Sequence, residues 1–226
     1  MKIIILAAGK GSRLKPLTDI IPKCMVKVNG KPIINHIYGN ILRAIQNSEL
    51  YIICGYKADT LINHCKKNSI KATFIYQPKP DGTANAIFLV KEHMNEDFIV
   101  LSGDILYSVD EIEYLARIKN SILYTKMNER LYEYGTLEIT GNKVKYINEK
   151  STNPTSKLVN CGAYHFTEDV FEYIAETEID NRFGEKIITN TINLMIEDGI
   201  KFTGIPIKYL NEISYPEDIK KVEDRI

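Results

Sequence analysis

Lys2-Ile3-Ile4-Ile5-Leu6-Ala7-Ala8-Gly9-Lys10-Gly11-Ser12-Arg13-Leu14 decides how the chain folds. The apolar run from Ile3 to Ala8 is too short for a helix of ordinary length. It reads as a strand, the first of the strand-like runs along the chain. Gly9 and Gly11 then open a loop directly at the carboxyl end of that strand, where open α/β sheets place their ligands. Small residues there let backbone N–H groups approach a phosphate closely. The loop is not a Walker A sequence, because no Gly-Lys-Ser/Thr follows a five-residue span from Gly9. It is not the dinucleotide fingerprint either, because Leu14 stands at the third glycine position.

Outward from this loop, strand-like runs alternate with helix-length amphipathic stretches, the sign of βαβ units around a parallel sheet. Lys2 to Ala8, Tyr51 to Cys54, Ala72 to Tyr76 and Phe98 to Leu101 read as strands. Ile34, Ile37, Ile41, Leu42 and Ile45 fall on one face of a helix over Ile33 to Ile45, and helices are also expected over Ala58 to Lys67 and Ala84 to Met94. After Asp104 the pattern changes to strands joined by short turns: Ser121 to Lys126, Gly135 to Ile139, Lys143 to Ile147 and Leu158 to Phe166. Gly141-Asn142 suits a tight hairpin turn. Helices are expected over Thr167 to Ala175, with Thr167 as N-cap, and over Glu185 to Glu197, ended by Gly199. A strand near Lys201 to Ile207 and a helix from Pro216 close the chain. No repeat or low-complexity linker interrupts it, so both halves are expected to share one sheet.

Composition narrows the function classes. The chain has 226 residues, 44% hydrophobic and 26% charged, which excludes a disordered chain or a rod. Lys+Arg and Asp+Glu each total 29, so no basic excess marks a nucleic-acid or anionic-membrane surface, and neither partner is expected. A phosphate ligand must be held by a few placed cations. The first apolar run falls far short of the roughly 18 residues of a membrane span and lacks a secretory cleavage site, so a cytoplasmic protein is expected. The four cysteines, Cys24, Cys54, Cys65 and Cys161, then read as reduced thiols, and the four histidines show no metal-ligand spacing.

The loop continues as Gly-x-Gly-Ser-Arg-Leu-x-Pro-Leu-Thr, followed by Ile21-Pro22-Lys23-Cys24-Met25 and Lys31-Pro32-Ile33-Ile34. In these residues the chain resembles the sugar-1-phosphate nucleotidyltransferases. The resemblance runs in order along nearly the whole sequence: Gln77-Pro78-Lys79-Pro80-Asp81-Gly82-Thr83-Ala84, Ser102-Gly103-Asp104, Tyr134-Gly135, Glu149-Lys150, Asn160-Cys161-Gly162 and Gly184-Glu185-Lys186-Ile187-Ile188-Thr189. It implies an α/β fold with a Rossmann-like mixed, mainly parallel sheet flanked by helices and a small antiparallel sugar-binding part. Residues 1–226 would form a single nucleotidyltransferase domain, with a nucleotide-binding half (1–110) and a sugar-binding half (111–226).

The implied reaction is attack of a sugar 1-phosphate oxygen on the α-phosphate of a nucleoside triphosphate. A phosphate monoester has a second pKa of about 6 and needs no general base near neutral pH. The site must position the reactants and neutralise their charge. By resemblance, Arg13 grips the leaving pyrophosphate, Lys23 the α-phosphate region and Lys150 the sugar phosphate. Leu6, Ala7, Ala8, Gly9, Gly11 and Ser12 form the phosphate loop; Gln77, Gly82 and Thr83 contact the nucleotide; Tyr134, Gly135, Glu149 and Asn160 contact the sugar. Asp104, at a strand end, is a hard oxygen ligand for Mg²⁺. Counting back without gaps from Pro216-Glu217-Asp218 gives Glu212 as the second ligand; a one-residue shift gives Asn211. Either departs from the usual Asp, and Ser151 departs from the proline that often follows Glu-Lys.

UTP or dTTP with a hexose or N-acetylhexosamine 1-phosphate is the expected substrate pair. Gly-Thr-Ala also occurs in mannose-1-phosphate guanylyltransferases, and phosphocholine-type cytidylyltransferases share the N-terminal loop. A catalytically silent nucleotide-sensing or assembly module is the alternative outside enzymes; such relatives often lose the arginine or the metal Asp, both retained here. A glycosyltransferase would show Asp-x-Asp, unlike Asp104-Ile105-Leu106. No hexapeptide repeat is visible, so a second, acyl-transfer activity is not expected. Oligomeric state is not legible.

Overall fold

The computed structural model describes residues 1–226. In chain order it contains β1 (Lys2–Ala7), β2 (Lys27–Val28), β3 (Lys31–Pro32), α1 (Ile33–Ala44), β4 (Glu49–Cys54), α2 (Ala58–Lys67), β5 (Thr73–Tyr76), α3 (Thr83–Phe88), β6 (Phe98–Ser102) and α4 (Val109–Arg117). There follow β7 (Ser121–Lys126), β8 (Gly135–Thr140), β9 (Lys143–Glu149), β10 (Leu158–Phe166), α5 (Val170–Glu176), α6 (Ile188–Glu197), β11 (Phe202–Pro206) and α7 (Pro216–Glu223).

One nine-stranded sheet runs in the order β5-β4-β1-β6-β10-β7-β11-β9-β8, and β2 and β3 form a separate hairpin. β5, β4, β1 and β6 are mutually parallel, and β11 lies parallel to β7. β10 joins the two groups by pairing antiparallel with both β6 and β7. The β8–β9 hairpin, turning at Gly141-Asn142, docks antiparallel onto β11. Both halves of the sequence thus share one sheet, as expected from the absence of a linker.

Ile3, Ile4 and Ile5 are each 0% exposed, because neighbours pair on both edges of β1 and packed layers cover both its faces. The core accordingly divides into two apolar layers. One packs α1, α2 and α4 under the sheet through residues such as Ile34, Ile37, Leu61 and Ile112. The other packs α3, α5 and α6 on the opposite face through Ile87, Phe171 and Ile192. Neither layer belongs to one half of the sequence alone.

Three local expectations differ from the structure. The helix read over Ala84 to Met94 stops at Phe88: Val90 leaves helical backbone angles (φ −100°, ψ 6°) and a separate single turn follows at Lys91–His93. Thr167 does not cap α5. Asp169 occupies that position, and the Thr167 hydroxyl donates to Asn120 Oδ1 at 3.1 Å instead. The helix expected from Glu185 begins only at Ile188, because Glu185 bridges to Asp180, backbone bonds tie Lys186 to Asp81 and Ala84, and Ile187 is extended (φ −106°, ψ 133°).

Candidate active site

Parallel neighbours end at the same edge of a sheet, and this brings the first three segments of the site together. β1 delivers Ala8 and Gly9, β6 delivers Gly103 and Asp104, and β5 delivers Gln77. Gly103 N–H donates to Leu6 O (2.9 Å) and Gln77 N–H to Cys54 O (2.8 Å), continuing the ladders past the strand ends. A side chain at Gly103 would meet Leu6 O at 2.7 Å, so the two loops can touch only with glycine there. The edge opens into a cleft of about 300 Å³ lined by Leu6, Ala7, Ala8, Gly9, Lys23, Gln77, Gly82, Thr83 and Asp104 among others.

Gln77 is fixed within this cleft. Its amide nitrogen donates to Asp81 Oδ1 (2.8 Å) and Gly82 O (3.3 Å), both acceptors only, which leaves Oε1 as its remaining acceptor. Gly82 holds φ 111° and ψ 167°, a region open essentially to glycine alone. The Thr83 hydroxyl accepts from Ile188 N–H at 3.0 Å and so ties the starts of α3 and α6 together.

Lys23 lines this cleft beside Asp104, which also lines a second cavity. Its ammonium bonds the Asp104 carboxylate, lies 3.9 Å from Glu212 Oε1 and donates to Ser214 Oγ at 3.3 Å. Burial disfavours this charge, yet the two carboxylates hold the lysine above its ordinary value. Burial and the Asp104 charge together push the Glu212 carboxyl up. Glu212 arrives here through a short antiparallel bridge: it pairs with Ile105, while Ile213 N–H donates to Asp104 O and Leu106 N–H to Asn211 O, each at 3.0 Å. Glu212 lines the second cavity, and Asn211 lines neither. Glu212 Oε2 is buried without a partner. Two carboxylates around one ammonium leave a surplus negative charge and an unused hard oxygen, a donor set that fits a divalent cation sharing its remaining positions with phosphate and water. No group of three or more His, Cys, Asp or Glu gathers to hold a metal ion without such help.

The second cavity, of about 210 Å³, shares Ser102 and Asp104 with the first cleft. Its walls include Tyr134, Gly135, Glu149, Lys150, Asn160 and Glu212. The register of β8 against β9 sets Gly135 opposite Glu149, and a Cβ on Gly135 would strike Glu149 Oε2 at 2.6 Å. Glu149 Oε2 accepts from the Thr189 hydroxyl at 3.0 Å, and burial raises its carboxyl above the usual range. Asn160 stands at an irregularity of β10 where Gly162 turns to φ 61°. Its Oδ1 accepts from Gly162 N–H (2.9 Å), and its Nδ2 donates to Tyr164 Oη (2.7 Å).

Gly11, Ser12 and Arg13 line neither cavity. Gly11 takes a left-handed conformation (φ 62°, ψ 42°) ahead of the single turn Ser12–Leu14, and Arg13 is carried to the rim of the second cavity, where Nη1 pairs with Glu133 Oε2, a group of its wall, at 2.9 Å. One cation went unread in the sequence. Arg182 donates from Nη1 to Glu149 O (3.0 Å) and lies 4.9 Å from the Phe183 ring centroid, while Lys150 Nζ lies 5.2 Å from the same centroid. Its sequence context, Asp-Asn-Arg-Phe, carries no local signal, and only the return of the Asp180–Lys186 segment across the site brings it beside Lys150.

Residues 2–209 match the family model described as nucleotidyl transferase. The chain belongs to that family. The bifunctional protein GlmU of Methanocaldococcus jannaschii is 35% identical over 224 residues, covering 97% of this chain and 52% of that protein. The UTP–glucose-1-phosphate uridylyltransferase AglF of Haloferax volcanii is 31% identical over 237 residues, with 100% and 96% covered. Among solved structures, a protein from Bacillus anthracis described as a glucose-1-phosphate thymidylyltransferase, in complex with a sucrose, superposes with a TM-score of 0.84 at 25% identity over 100% of this chain and 94% of that one. The chain spans about half the length of the curated GlmU relatives it matches. No helix is long and apolar enough to cross a membrane.

Proposed function

We propose that this nucleotidyl transferase condenses UTP or dTTP with a hexose or N-acetylhexosamine 1-phosphate, giving a nucleotide-diphosphate sugar and pyrophosphate. The observation that carries this reading is that Lys23, Asp104 and Glu212 meet where the nucleotide cleft and the sugar cavity join. AglF and the Bacillus anthracis protein act, by their descriptions, on the uridylyl or thymidylyl and glucose 1-phosphate pair. Residues 1–226 work as one unit, 1–110 holding the nucleotide and 111–226 the sugar, in the cytoplasm.

The sugar phosphate, already a dianion, needs no base. One of its oxygens bonds to the α-phosphorus, the bond to the β-phosphate oxygen breaks, and pyrophosphate leaves with the electron pair. Backbone N–H groups of Ala8 and Gly9 line the cleft that takes the triphosphate, with Gly11 and Ser12 beyond its edge; Lys23 balances charge at the α-phosphate, and Arg13 meets the departing pyrophosphate from the rim. Lys150 and Arg182 hold the sugar phosphate, while Glu149, Asn160 and Tyr134 meet sugar hydroxyls across the close backbone at Gly135. Asp104 and Glu212 would hold Mg²⁺, which supplies further neutralisation of the phosphate oxygens.

Incubating the protein with Mg²⁺, each of UTP, dTTP, CTP, GTP and ATP, and a panel of sugar 1-phosphates and phosphocholine while following pyrophosphate tests the reading. Release is expected with UTP or dTTP and a hexose derivative. Release only with GTP and mannose 1-phosphate, or only with CTP and phosphocholine, would reassign the substrate. No release with any pair would make the chain a silent module. Asp104→Ala should abolish turnover with an unchanged melting curve, and near-normal turnover would remove Asp104 from the site.

A further inference from the structure

Arg13 lies outside both cavities, held by a carboxylate 120 residues away in sequence and by the Tyr215 ring, whose centroid lies 5.4 Å from the guanidinium carbon. Glu133 Oε2 accepts from Arg13 Nη1 at 2.9 Å, from Arg130 Nη2 at 3.2 Å and from the Tyr215 hydroxyl at 3.1 Å, while Oε1 accepts from Arg130 Nε at 2.9 Å. The Glu133 side chain is 9% exposed, against 49% for Arg13. Burial opposes its ionisation, but the bonds from Arg130 and Tyr215 and the charges of Arg130 and Arg13 outweigh this and hold the carboxyl below its usual range.

Glu133 is itself anchored. Arg130 lies 4.3 Å from the Tyr215 ring centroid and reaches Asp218 Oδ1 at 3.5 Å, and Asp218 Oδ2 accepts the Ser214 and Tyr215 N–H groups at 3.0 and 2.8 Å. The same backbone turn carries Ser214, which touches both Lys23 and Glu212. A carboxylate held from three directions is a fixed post rather than a swinging latch. A guanidinium has five donors in one plane. Arg13 gives Nη1 to Glu133, and its Nε and Nη2 have no protein partner, so the post leaves one edge of the guanidinium free and sets its direction.

We propose that Glu133 is a positioning residue, which aims the free edge of Arg13 at the leaving pyrophosphate and ties the phosphate loop to the sugar half. The proposal rests on the assignment of Arg13 to the pyrophosphate given above. Glu133 stands in the wall of the sugar cavity, but four donated bonds occupy its two oxygens, and it acts through Arg13. A displacement of about 1 Å in a charged group near the reacting centre costs on the order of 100-fold in rate.

The test is a cycle of Glu133→Gln, Arg13→Ala and the double variant, with kcat and both KM values measured by pyrophosphate release from UTP and the best sugar 1-phosphate. E133Q should lower kcat at least about tenfold, with the KM for sugar 1-phosphate changed less than about twofold. In the R13A background the same substitution should have no further effect, since the group it aims is gone. Tyr215→Phe removes one bond to Glu133 without touching its charge, and should give a smaller fall in kcat that also vanishes in the R13A background. This keeps the test open if E133Q folds poorly. A kcat for E133Q within twofold of the wild type, or an equal loss in both backgrounds, would overturn the positioning role. Wild-type rates in R13A would instead overturn the assignment of Arg13 itself.

Discussion

Gly82→Ala is the substitution whose cost can be worked out most directly from the structure. At φ 111° and ψ 167° the backbone there occupies a region that residues with a Cβ avoid, at about 1–3 kcal/mol. The added methyl would also lie 2.1 Å from Lys186 O and 2.7 Å from Lys186 C and N. These are backbone atoms, so no rotamer change relieves the overlap. A carbon and a carbonyl oxygen need about 3.3 Å, so the two segments must part by roughly 1 Å. The Ala84 N–H to Lys186 O and Lys186 N–H to Asp81 O bonds, both 3.0 Å, hold the segments together and would stretch or break, at about 0.5–1.5 kcal/mol each. The sum, roughly 2–6 kcal/mol, is a fraction of the stability of a domain of this size, which should fold with a melting temperature lower by roughly 4–20 °C. The displaced groups are those around Gln77, so kcat/KM for the nucleotide should fall on the order of 100-fold. Thermal unfolding together with initial rates of pyrophosphate release decides the matter. A variant that melts with the wild type and turns over within threefold of it would show that the segments part without cost and that Gly82 is not a close-approach position.

Two further outcomes are expected. Glu149→Gln removes a buried carboxyl whose folded-state value lies above its unfolded value of about 4.3, raised first by burial. Stability linked to such a group is complete below the unfolded value and is lost as pH rises through the folded one, so the melting temperature of E149Q relative to wild type should climb between pH 4 and neutrality. Its kcat/KM for the sugar should still fall about 10- to 100-fold through loss of a charged acceptor, and a pH-independent melting difference would refute the assignment. Arg182→Ala should raise the KM for sugar 1-phosphate about tenfold and also lower the melting temperature, because it strips two bonds from the Asp180 carboxylate, whose side chain is only 7% exposed. An unchanged KM would take Arg182 out of the sugar-phosphate site.

The sequence by itself determined the elements whose signal is local. Ile3-Ile4-Ile5 could only be a strand, Gly9 and Gly11 could only follow it as a loop, and Gly141-Asn142 turned a hairpin, because periodicity and turn chemistry act over a few residues. The order of the motifs likewise placed Lys23, Asp104 and Gln77 at strand ends or in the loop beyond one. What the tertiary structure alone decided were the meetings between distant segments. Glu212 rather than Asn211 faces the second cavity because a short bridge to Ile105 fixes the register, and a one-residue slip would turn the other side chain inward. Arg182 comes beside Lys150, and Glu133 beneath Arg13, only once β8, β9 and the Asp180–Lys186 segment have docked on the sheet. Lys186 likewise stays outside α6 because backbone partners more than 100 positions away hold it. Contacts of that range leave no periodic trace in the chain, since they depend on the sum of all the packing between.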